Sequence, residues 1–393
     1  MNILYKNKLL QLVKQHGTPL ILFSPDAFRK KYQELQLHLP HVKHHYALKS
    51  LPYESCLYEI AACNGFLDLA SIGEIKMVHQ NRPELIKKSI YTHPIKKSKD
   101  IVTALKYGIN TMVADNYEEL NKFIEYGSEI QVLLRVAFPN PNARCDLSQK
   151  FGIPFQDIKK LIAYCVDSGL NLHGISFHPG SQLVDPQAHI NGIKSLKSIY
   201  EWCKLNYNYK IPVLDIGGGF PAKLTEEVPD LKEFCKPINA ILNELFPDTE
   251  IWSEPGRAIS ASSMMSISSI VGKTYKNNQI WYYIDDGVYQ TLSGKVYDHA
   301  EYSFIPLQNE ESITFSSVIS GPTCDSIDTL IDKVYLPELN VGDIFITPNV
   351  GAYGWASRTS FNNLDEAKII DSNFEIEEII HLGSSTLTMS EVA

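Results

Sequence analysis

The chain has 393 residues, of which 44% are hydrophobic, and a formal net charge of -9. This length exceeds what a single hydrophobic core usually holds, so we expect one large domain and one smaller one. The negative charge argues against a nucleic-acid partner. No apolar run is long enough to span a bilayer, and the first residues lack the features of a signal peptide, so the sequence predicts a soluble, cytoplasmic protein.

The seven cysteines are scattered along the chain, at positions 56, 63, 145, 165, 203, 235 and 324, and never occur in C-x-x-C spacing. This pattern fits neither a disulfide framework nor a thiolate zinc site. We therefore expect free thiols and no metal.

Short apolar runs rich in β-forming residues alternate with helix-like segments from residue 41 to residue 256. The runs are HYALK, FLDLAS, SIYTHP, INTMVAD, QVLLRVA, LHGISFH, VLDIGGG and EIWSEPG. About eight β/α units with right-handed crossovers are what a closed (β/α)8 barrel of the TIM type requires. Periodicity alone does not separate this α/β barrel from an open doubly wound sheet.

Polar, charged and glycine residues at the ends of these runs favour the barrel. They are Lys49, Asp68, Glu74, Arg135, His178, Gly217 to Gly219 and Glu254. They fall at or just past the carboxyl ends of different predicted strands, with Asp68 and Glu74 sharing one strand. In a barrel those ends form one face, which is where active sites lie.

After residue 264 the chain shows strand-like runs without long helices between them. The runs are MMSISSIVGKTY, QIWYYIDDGVY, ESITFSSVIS, DKVYLPELNVGDIFITPNVG and FEIEEIIHLG. Short strands separated by Gly, Pro and Asn turns are typical of an all-β domain. We predict a barrel over residues 26–263 and a C-terminal β domain over residues 264–393, with residues 1–25 packing on the latter.

The segment VLDIGGGFP is a predicted strand that runs into three consecutive glycines. Glycines let backbone N–H groups approach an anion, as in the loops that cradle phosphate. A dinucleotide-binding fingerprint is disfavoured, because Phe220 and Pro221 stand where a helix would have to open. A plain tight turn is the alternative explanation of the glycines.

A strand-end lysine, a phosphate-binding loop and an acidic residue at the last barrel strand together indicate pyridoxal 5′-phosphate. This cofactor needs a lysine amine for a Schiff base, and Lys49 is the candidate. It also needs a group that controls its pyridine nitrogen, and Glu254 would keep that nitrogen protonated.

Many motifs of one family occur here in the same order along nearly the whole chain. They are YALKS, LDLAS-x-x-E, LLRVA, LSQKFG, FHPGSQ, LDIGGGFP, EPGR, DDGVY, YDH, GPTCDSID and NVGAYGWASRTSFN. In these motifs the chain resembles the fold-type III pyridoxal-phosphate decarboxylases, and within them the ornithine decarboxylases. The resemblance implies an alanine-racemase-like barrel, a C-terminal β domain and a homodimer with active sites at the subunit interface.

The resemblance also implies roles for individual residues around the cofactor. Lys49 would form the Schiff base, His178 would stack on the cofactor ring, and Glu254 would pair with the pyridine nitrogen. Ligands on the phosphate side would be Ser181, Gly217, Gly218, Gly219, Gly256, Arg257 and Tyr353. Asp68, Glu74 and Arg135 would support the cofactor and lysine, although structural ion pairing is the alternative for these three.

In the resembling enzymes the loop matching GPTCDSID reaches into the partner's active site. Here Cys324 would be the thiol that helps to reprotonate the α-carbon. Asp325, together with Tyr297 and Asp298 of VYDH, would bind the distal ammonium of a small cationic amino acid.

The implied function is decarboxylation of L-ornithine to putrescine, in polyamine biosynthesis. Decarboxylation of lysine, alone or beside ornithine, is the main alternative. Diaminopimelate decarboxylases are disfavoured, because they have Glu where this chain has Asp325 and an arginine where it has Ser293. An inactive binding protein similar to the antizyme inhibitors is disfavoured because the cofactor residues are retained, and a racemase fits the carboxylate pair less well.

Overall fold

The computed structural model describes residues 3–140, 147–225, 227–307 and 313–374. The chain divides into two compact units, each taken here as far as its residues are described. We call the first the barrel unit, which comprises Arg29–Ala222 and Val228–Ile259. The second, the sheet unit, comprises Met1–Phe28, Lys223–Glu227 and Ser260–Ala393.

The strands are numbered in chain order. They are β1 Leu20–Phe23, β2 Val42–Ala47, β3 Phe66–Leu69, β4 Ser89–Tyr91, β5 Thr111–Ala114, β6 Gln131–Ala137, β7 Ile153–Pro154, β8 Asn171–Phe177, β9 Val213–Asp215, β10 Glu250–Ser253, β11 Met264–Lys276, β12 Gln279–Ile284, β13 Ile305–Pro306, β14 Phe315–Ser320, β15 Thr329–Leu336, β16 Ile344–Thr347 and β17 Lys368–Asp371.

The α-helices are numbered in the same way. They are α1 Ile3–His16, α2 Pro25–His38, α3 Glu54–Ala62, α4 Ile72–Asn81, α5 Ser98–Tyr107, α6 Tyr117–Phe123, α7 Ile158–Asp167, α8 Gln187–Tyr207, α9 Leu231–Leu245, α10 Arg257–Ser260 and α11 Gly294–Tyr297.

The barrel unit is built on a closed ring of parallel strands. Their order is β5-β4-β3-β2-β10-β9-β8-β6, and β5 pairs with β6 to complete the ring. The short strand β7 adds to the outside of this path through β6. The predicted (β/α)8 barrel is therefore confirmed, and the open doubly wound sheet is excluded.

Apolar side chains from five different strands fill the barrel interior. They are Ile90, Val113, Leu133, Val213 and Trp252, which form one buried cluster. The interior is a packed core, as expected for a barrel of eight strands. A packed interior leaves the rims of the barrel as the places where polar side chains can gather.

The helix α5 shows how the sequence sets the ends of the β/α units. Gly108 follows it with a φ of 95°, and its N–H bonds to the carbonyl of Leu105 at 2.9 Å. Glycine adopts this left-handed conformation without steric cost, so the helix ends there and the chain turns towards β5.

The sheet unit contains a mostly antiparallel sheet in the order β13-β16-β11-β12-β14-β15. Strand β1 pairs antiparallel with β11 and parallel with β17, so the N-terminal strand belongs to this sheet. The core of this unit contains Leu9, Leu20, Leu22, Met265, Ile267, Ile305, Leu307, Ile344, Ile346 and Phe374. Most of the predicted run FEIEEIIHLG lies outside the described residues.

Within the described ranges, no helix has the length and hydropathy needed to cross a membrane. The same residues contain no cluster of three or more His, Cys, Asp or Glu side chains that could hold a metal ion. Six cysteines are free thiols, and Cys145 lies outside the described residues.

A buried ion pair joins Lys96, in the loop after β4, to Glu119 in helix α6. Lys96 is fully buried, and its Nζ lies 2.9 Å from Glu119 Oε1 and 2.6 Å from the carbonyl oxygen of Val113. The ammonium also lies 5.1 Å from the centre of the Phe123 ring. Burial lowers the pKa of Lys96 to about 8, while the charge of Glu119 opposes this change. Glu119 also pairs with Lys122 through its other oxygen, so Lys96 is the buried one of the two cations beside this carboxylate.

We predict that Lys96→Met lowers the free energy of unfolding by about 1–3 kcal/mol, because it leaves Glu119 Oε1 and the Val113 carbonyl oxygen without the buried ammonium, while Lys122 still balances the Glu119 charge. The measurement is the midpoint of urea unfolding. Lys31→Met is the matched control, since Lys31 forms a partly exposed pair with Glu34 at 2.8 Å. It should change stability by less than about 1 kcal/mol. Equal losses in the two variants would contradict the importance of the buried pair.

Candidate active site

Lys49 lies in a single 3₁₀ turn, Leu48–Ser50, which directly follows β2. The sequence interpretation placed Lys49 at or just past the strand end, and in the structure it lies two residues after Ala47, the last residue of β2. Leu48 and Ser50 are buried, which anchors the turn, whereas 41% of the Lys49 side chain is exposed. The turn thus fixes the backbone of Lys49 and leaves its amine accessible.

The Lys49 amine is paired with a buried carboxylate on the neighbouring strand. Lys49 Nζ lies 2.7 Å from Oδ2 of Asp68, whose side chain is fully buried in β3. The hydroxyl group of Thr92 donates to the other oxygen of Asp68. Sequence reasoning missed Thr92, whose only signal is its position just after β4. Asp68 therefore holds the lysine in place and is itself held from the far side.

Glu74 lies in the first turn of α4 and takes part in its capping. Its backbone N–H donates to the Ser71 hydroxyl at 3.2 Å, and its Oε2 accepts the N–H of Ala70 at 2.6 Å. Burial raises the pKa of Glu74 to about 7, and the nearby charge of Asp68 adds to this effect. The capping bonds thus fix a carboxyl group beside the Lys49–Asp68 pair.

Arg135 and His178 come from the ends of β6 and β8. Arg135 lies over the ring of Phe151, with Cζ 5.7 Å from its centre. Burial lowers the pKa of His178 well below its usual value, and the positive charges of Arg135 and Lys49 lower it further. Its Nδ1 accepts the N–H of Gly180 at 3.2 Å. His178 is therefore a neutral imidazole, and a hydrogen bond from its own loop fixes the position of its ring.

The three glycines after β9 lie against the chain that follows β8. A Cβ at Gly217 would lie 2.1 Å from the carbonyl oxygen of Phe177, and one at Gly218 would lie 2.8 Å from His178 Nε2. Gly217 and Gly219 have φ values of 68° and 93°. Lack of space therefore excludes a side chain at Gly217 and Gly218, and the positive φ favours glycine at Gly217 and Gly219.

Beside this loop lies a buried cation. Arg257 begins α10 and is only 4% exposed, and its Nη2 donates to the hydroxyl group of Ser181 at 3.2 Å. Gly256, which directly precedes it, is also buried. A buried guanidinium next to a hydroxyl group and a glycine loop is suited to binding a phosphate group.

Two carboxyl groups meet where β9 and β10 end. Glu254 follows β10, and its side chain is a hydrogen-bond neighbour of Asp215, the last residue of β9. Burial raises the pKa of Glu254 well above its usual value, and the charge of Asp215 raises it further. Burial likewise raises the pKa of Asp215 to about 7. Sequence reasoning missed Asp215, although an acidic residue inside the apolar run VLDI was a signal for it.

These features of the barrel unit fit the two charged ends of pyridoxal 5′-phosphate. The glycine loop, Ser181 and Arg257 suit the phosphate group. The Glu254–Asp215 pair is buried with more negative charge than it can balance by itself, so it suits a protonated pyridine nitrogen. Lys49 supplies an accessible amine among them.

The predicted residues of the GPTCDSID loop lie in the sheet unit, where Cys324 is exposed and Asp325 is half-buried. The Asp325 carboxylate accepts the hydroxyl group of Tyr289 at 2.5 Å, and this bond lowers the pKa of Asp325. The backbone N–H of Cys324 donates to the side chain of Asn362 at 3.3 Å, and the Tyr289 ring stacks on Phe361 with centres 4.4 Å apart. The structure thus joins the motifs DDGVY, GPTCD and TSFN.

Tyr297, Asp298 and Tyr353 belong to a second group in the same unit. Tyr297 ends α11 and is 57% exposed, whereas the following Asp298 is buried. Ser293, just before α11, donates its hydroxyl group to the carbonyl oxygen of Gly354 at 2.7 Å. Tyr353 has a φ of 55°, so its backbone is in the left-handed region. The YDH and GAYGW motifs are therefore packed together.

Comparison with known proteins places the chain in a family. Residues 26–261 match the model described as "Pyridoxal-dependent decarboxylase, pyridoxal binding domain". The chain is 32% identical over 365 residues to the lysine/ornithine decarboxylase of Selenomonas ruminantium, covering 91% of each. It is also 31% identical to antizyme inhibitor 2 of Xenopus laevis, covering 88% of this chain and 78% of that protein.

A solved structure agrees over nearly the whole fold. The crystal structure of the Vibrio vulnificus lysine/ornithine decarboxylase complexed with putrescine matches with a TM-score of 0.88 and 36% identity. The match covers 94% of this chain and 98% of that one. This chain therefore belongs to the pyridoxal-dependent decarboxylases and is an amino-acid decarboxylase that uses pyridoxal 5′-phosphate.

Proposed function

We propose that this enzyme removes the α-carboxylate of L-ornithine to give putrescine, as a step in polyamine biosynthesis. The observation that best supports an active decarboxylase is the accessible Lys49 amine, held 2.7 Å from buried Asp68 at the barrel rim that also carries Glu254. An inactive binding protein has no need of this arrangement.

In this proposal, each residue of the barrel unit has a task towards the cofactor. Lys49 binds it covalently, Glu254 holds the proton on its pyridine nitrogen, and neutral His178 packs on its ring. Ser181, Gly217, Gly218, Gly219, Gly256 and Arg257 hold its phosphate, together with Tyr353. When bound, pyridoxal 5′-phosphate supplies an acceptor for the electron pair that remains when carbon dioxide leaves.

Asp68, Glu74 and Arg135 keep these groups in position. Asp68 orients the Lys49 amine, and Arg135 adds to the effect of burial, which is the main cause of the low pKa of His178. Glu74 fixes the start of α4 next to Asp68. Because none of the three needs to move, the site is assembled before the substrate arrives.

We further propose that the sheet unit supplies the substrate-selecting residues. Asp325, with Asp298 and Tyr297, would bind the distal ammonium, since charge-assisted hydrogen bonds reject analogues that lack the amine. The low pKa of Asp325 keeps its carboxylate charged for this purpose. Cys324, beside it and exposed, would give a proton to the α-carbon.

The proposed enzyme is a homodimer whose active sites are shared between subunits, with Cys324 and Asp325 of one chain serving Lys49 of the other. The family resemblance of GPTCDSID supports this arrangement. It makes a subunit-mixing experiment decisive, as described below.

Lysine is the second candidate substrate, because two of the similar proteins above are named lysine/ornithine decarboxylases. The two substrates differ by one methylene group, which is worth only about 1–3 kcal/mol of discrimination. Diaminopimelate is disfavoured, because Ser293 is buried and bonded to the Gly354 carbonyl where those enzymes have an arginine. A panel of ornithine, lysine, arginine and diaminopimelate, with the amine products identified, tests the choice.

We predict that Lys49→Ala abolishes both decarboxylation and the visible absorbance of the bound cofactor, because the covalent link is lost. Its far-ultraviolet circular dichroism should stay unchanged. Lys43→Ala is the control, since Lys43 lies on the same strand β2 and pairs with Glu250 at the surface. Normal turnover by Lys49→Ala would show that another residue binds the cofactor.

We predict that mixing inactive Lys49→Ala subunits with inactive Cys324→Ala subunits restores roughly a quarter of wild-type activity. Random exchange makes half of the dimers mixed, and each mixed dimer has one site with both lesions and one intact site. Activity is measured after subunit exchange has been demonstrated with differently tagged chains. No recovery despite exchange would mean that each site is built from one chain.

We predict that Asp325→Ala raises the KM for ornithine and erodes its preference over amino acids without a side-chain amine, by about tenfold or more in kcat/KM. The cause is the loss of one carboxylate from the distal ammonium. Asp332→Ala is the control, because Asp332 is an exposed acid on β15 of the same unit. An unchanged preference in Asp325→Ala would exclude Asp325 as the selecting residue.

A further inference from the structure

Asp215 has no role in the function proposed above, yet it is completely buried beside Glu254. Its Oδ1 accepts the N–H of Gly217 at 2.8 Å. Among the residues that the structure describes, no N–H or hydroxyl group donates to its Oδ2. The only described hydrogen-bond neighbour that remains for this carboxylate is the carboxyl group of Glu254.

Two adjacent carboxyl groups form a hydrogen bond only when one of them carries a proton. Both being ionised would put two negative charges in contact without water, which is strongly unfavourable. The backbone fixes this proximity, because the N–H of Glu254 donates to the carbonyl oxygen of Gly217 at 2.8 Å. This bond holds the two backbone segments together, so the two side chains start from neighbouring positions.

The charges around the Asp215–Glu254 pair also support the presence of one proton on it. The groups that face Asp215 or Glu254 are Asp68 of β3, Arg135 of β6, Lys49 of the turn after β2, and Tyr200 of α8. Burial raises the pKa of Tyr200 well above its usual value, so its hydroxyl group is neutral. Asp68, Asp215 and Glu254 thus oppose two cations, and one proton on the pair balances the charges.

From this geometry we propose that Asp215 is a positioning residue that keeps a proton on Glu254 before the cofactor binds. Glu254 then gives this stored proton to the pyridine nitrogen, and no proton needs to be taken from solvent. The inference rests on the proposed placement of the pyridine nitrogen at Glu254.

The proton and charge balance is closed within the site. Before binding, Glu254 is neutral and Asp215 carries one negative charge. After binding, the proton has moved from the Glu254 carboxyl oxygen to the ring nitrogen, so Glu254 is a carboxylate paired with a cation. Asp215 stays negative and keeps its bond to the Gly217 N–H. The total charge is unchanged, which avoids creating a net charge in a buried site.

The test is the number of protons taken up when pyridoxal 5′-phosphate binds to the full-length protein from which the cofactor has been removed. Titration calorimetry at about pH 8, in two buffers of different ionisation enthalpy, gives this number. Asp215→Asn removes the neighbouring charge and offers an amide N–H to Glu254, so Glu254 should be ionised beforehand. The variant should take up about one proton more than wild type.

Asp115→Asn is the matched control. Asp115 follows β5 and accepts the N–H of Gly152 at 2.9 Å, as Asp215 accepts that of Gly217. It loses the same charge and keeps an oxygen that can accept the same kind of bond, and it is not a neighbour of Glu254, so its proton count should equal that of wild type. Equal counts in wild type and Asp215→Asn would overturn the proposal.

Infrared spectroscopy tests the pair even where Asp215→Asn fails to fold. Wild-type protein without cofactor should show the carbonyl band of a protonated carboxyl group at about pH 8. The band should be absent from Glu254→Gln and should disappear when the cofactor binds. Its absence from the wild-type protein would overturn the proposal. If the band is present but the cofactor does not bind, the proposed function fails and the shared proton stands.

Discussion

Closure of the parallel barrel is the constraint on which the candidate site depends. The last barrel strand, β10, pairs with the first, β2, although the two strands are about 200 residues apart in the sequence. This pairing puts the turn that carries Lys49 beside the segment that carries Glu254, and the N–H of Ala47 bonds to the carbonyl oxygen of Pro255 at 3.0 Å. A sheet left open at this seam would separate the lysine from the acid.

The rim of the barrel collects charges that burial would otherwise make costly. Burial favours the neutral form of every ionisable group, and it does so in opposite directions for acids and bases. It lowers the pKa of His178 and raises the pKa of Glu254, so it favours the neutral form of both. The carboxylate of Asp68 is hydrogen-bonded at both of its oxygens, by Lys49 and by Thr92. The site therefore combines an ion pair with groups whose neutral forms are favoured by burial.

The barrel could be predicted because most of its eight strands are buried on both faces and therefore have mainly apolar sequences. Residues at the run ends, such as Lys49 and His178, could be predicted because parallel strands bring equivalent ends to one face. The 3₁₀ turn at Lys49 could not, since the residues Leu48 and Ser50 are buried by tertiary contacts that no local pattern records. Asp215 was missed for the same reason: the run VLDI gives its side chain an apolar context, and only the neighbouring strand supplies Glu254.

The sheet unit shows a second way of fixing charge in advance. The carboxylate of Asp325, which is half-buried, is oriented by the Tyr289 hydroxyl group, and Tyr289 is in turn held by stacking on Phe361. These three residues come from three separate motifs, so the orientation arises only when the whole unit is folded. A carboxylate that is already oriented does not need to reorganise when a cation binds. Binding is therefore more favourable than it would be to a carboxylate that first had to move.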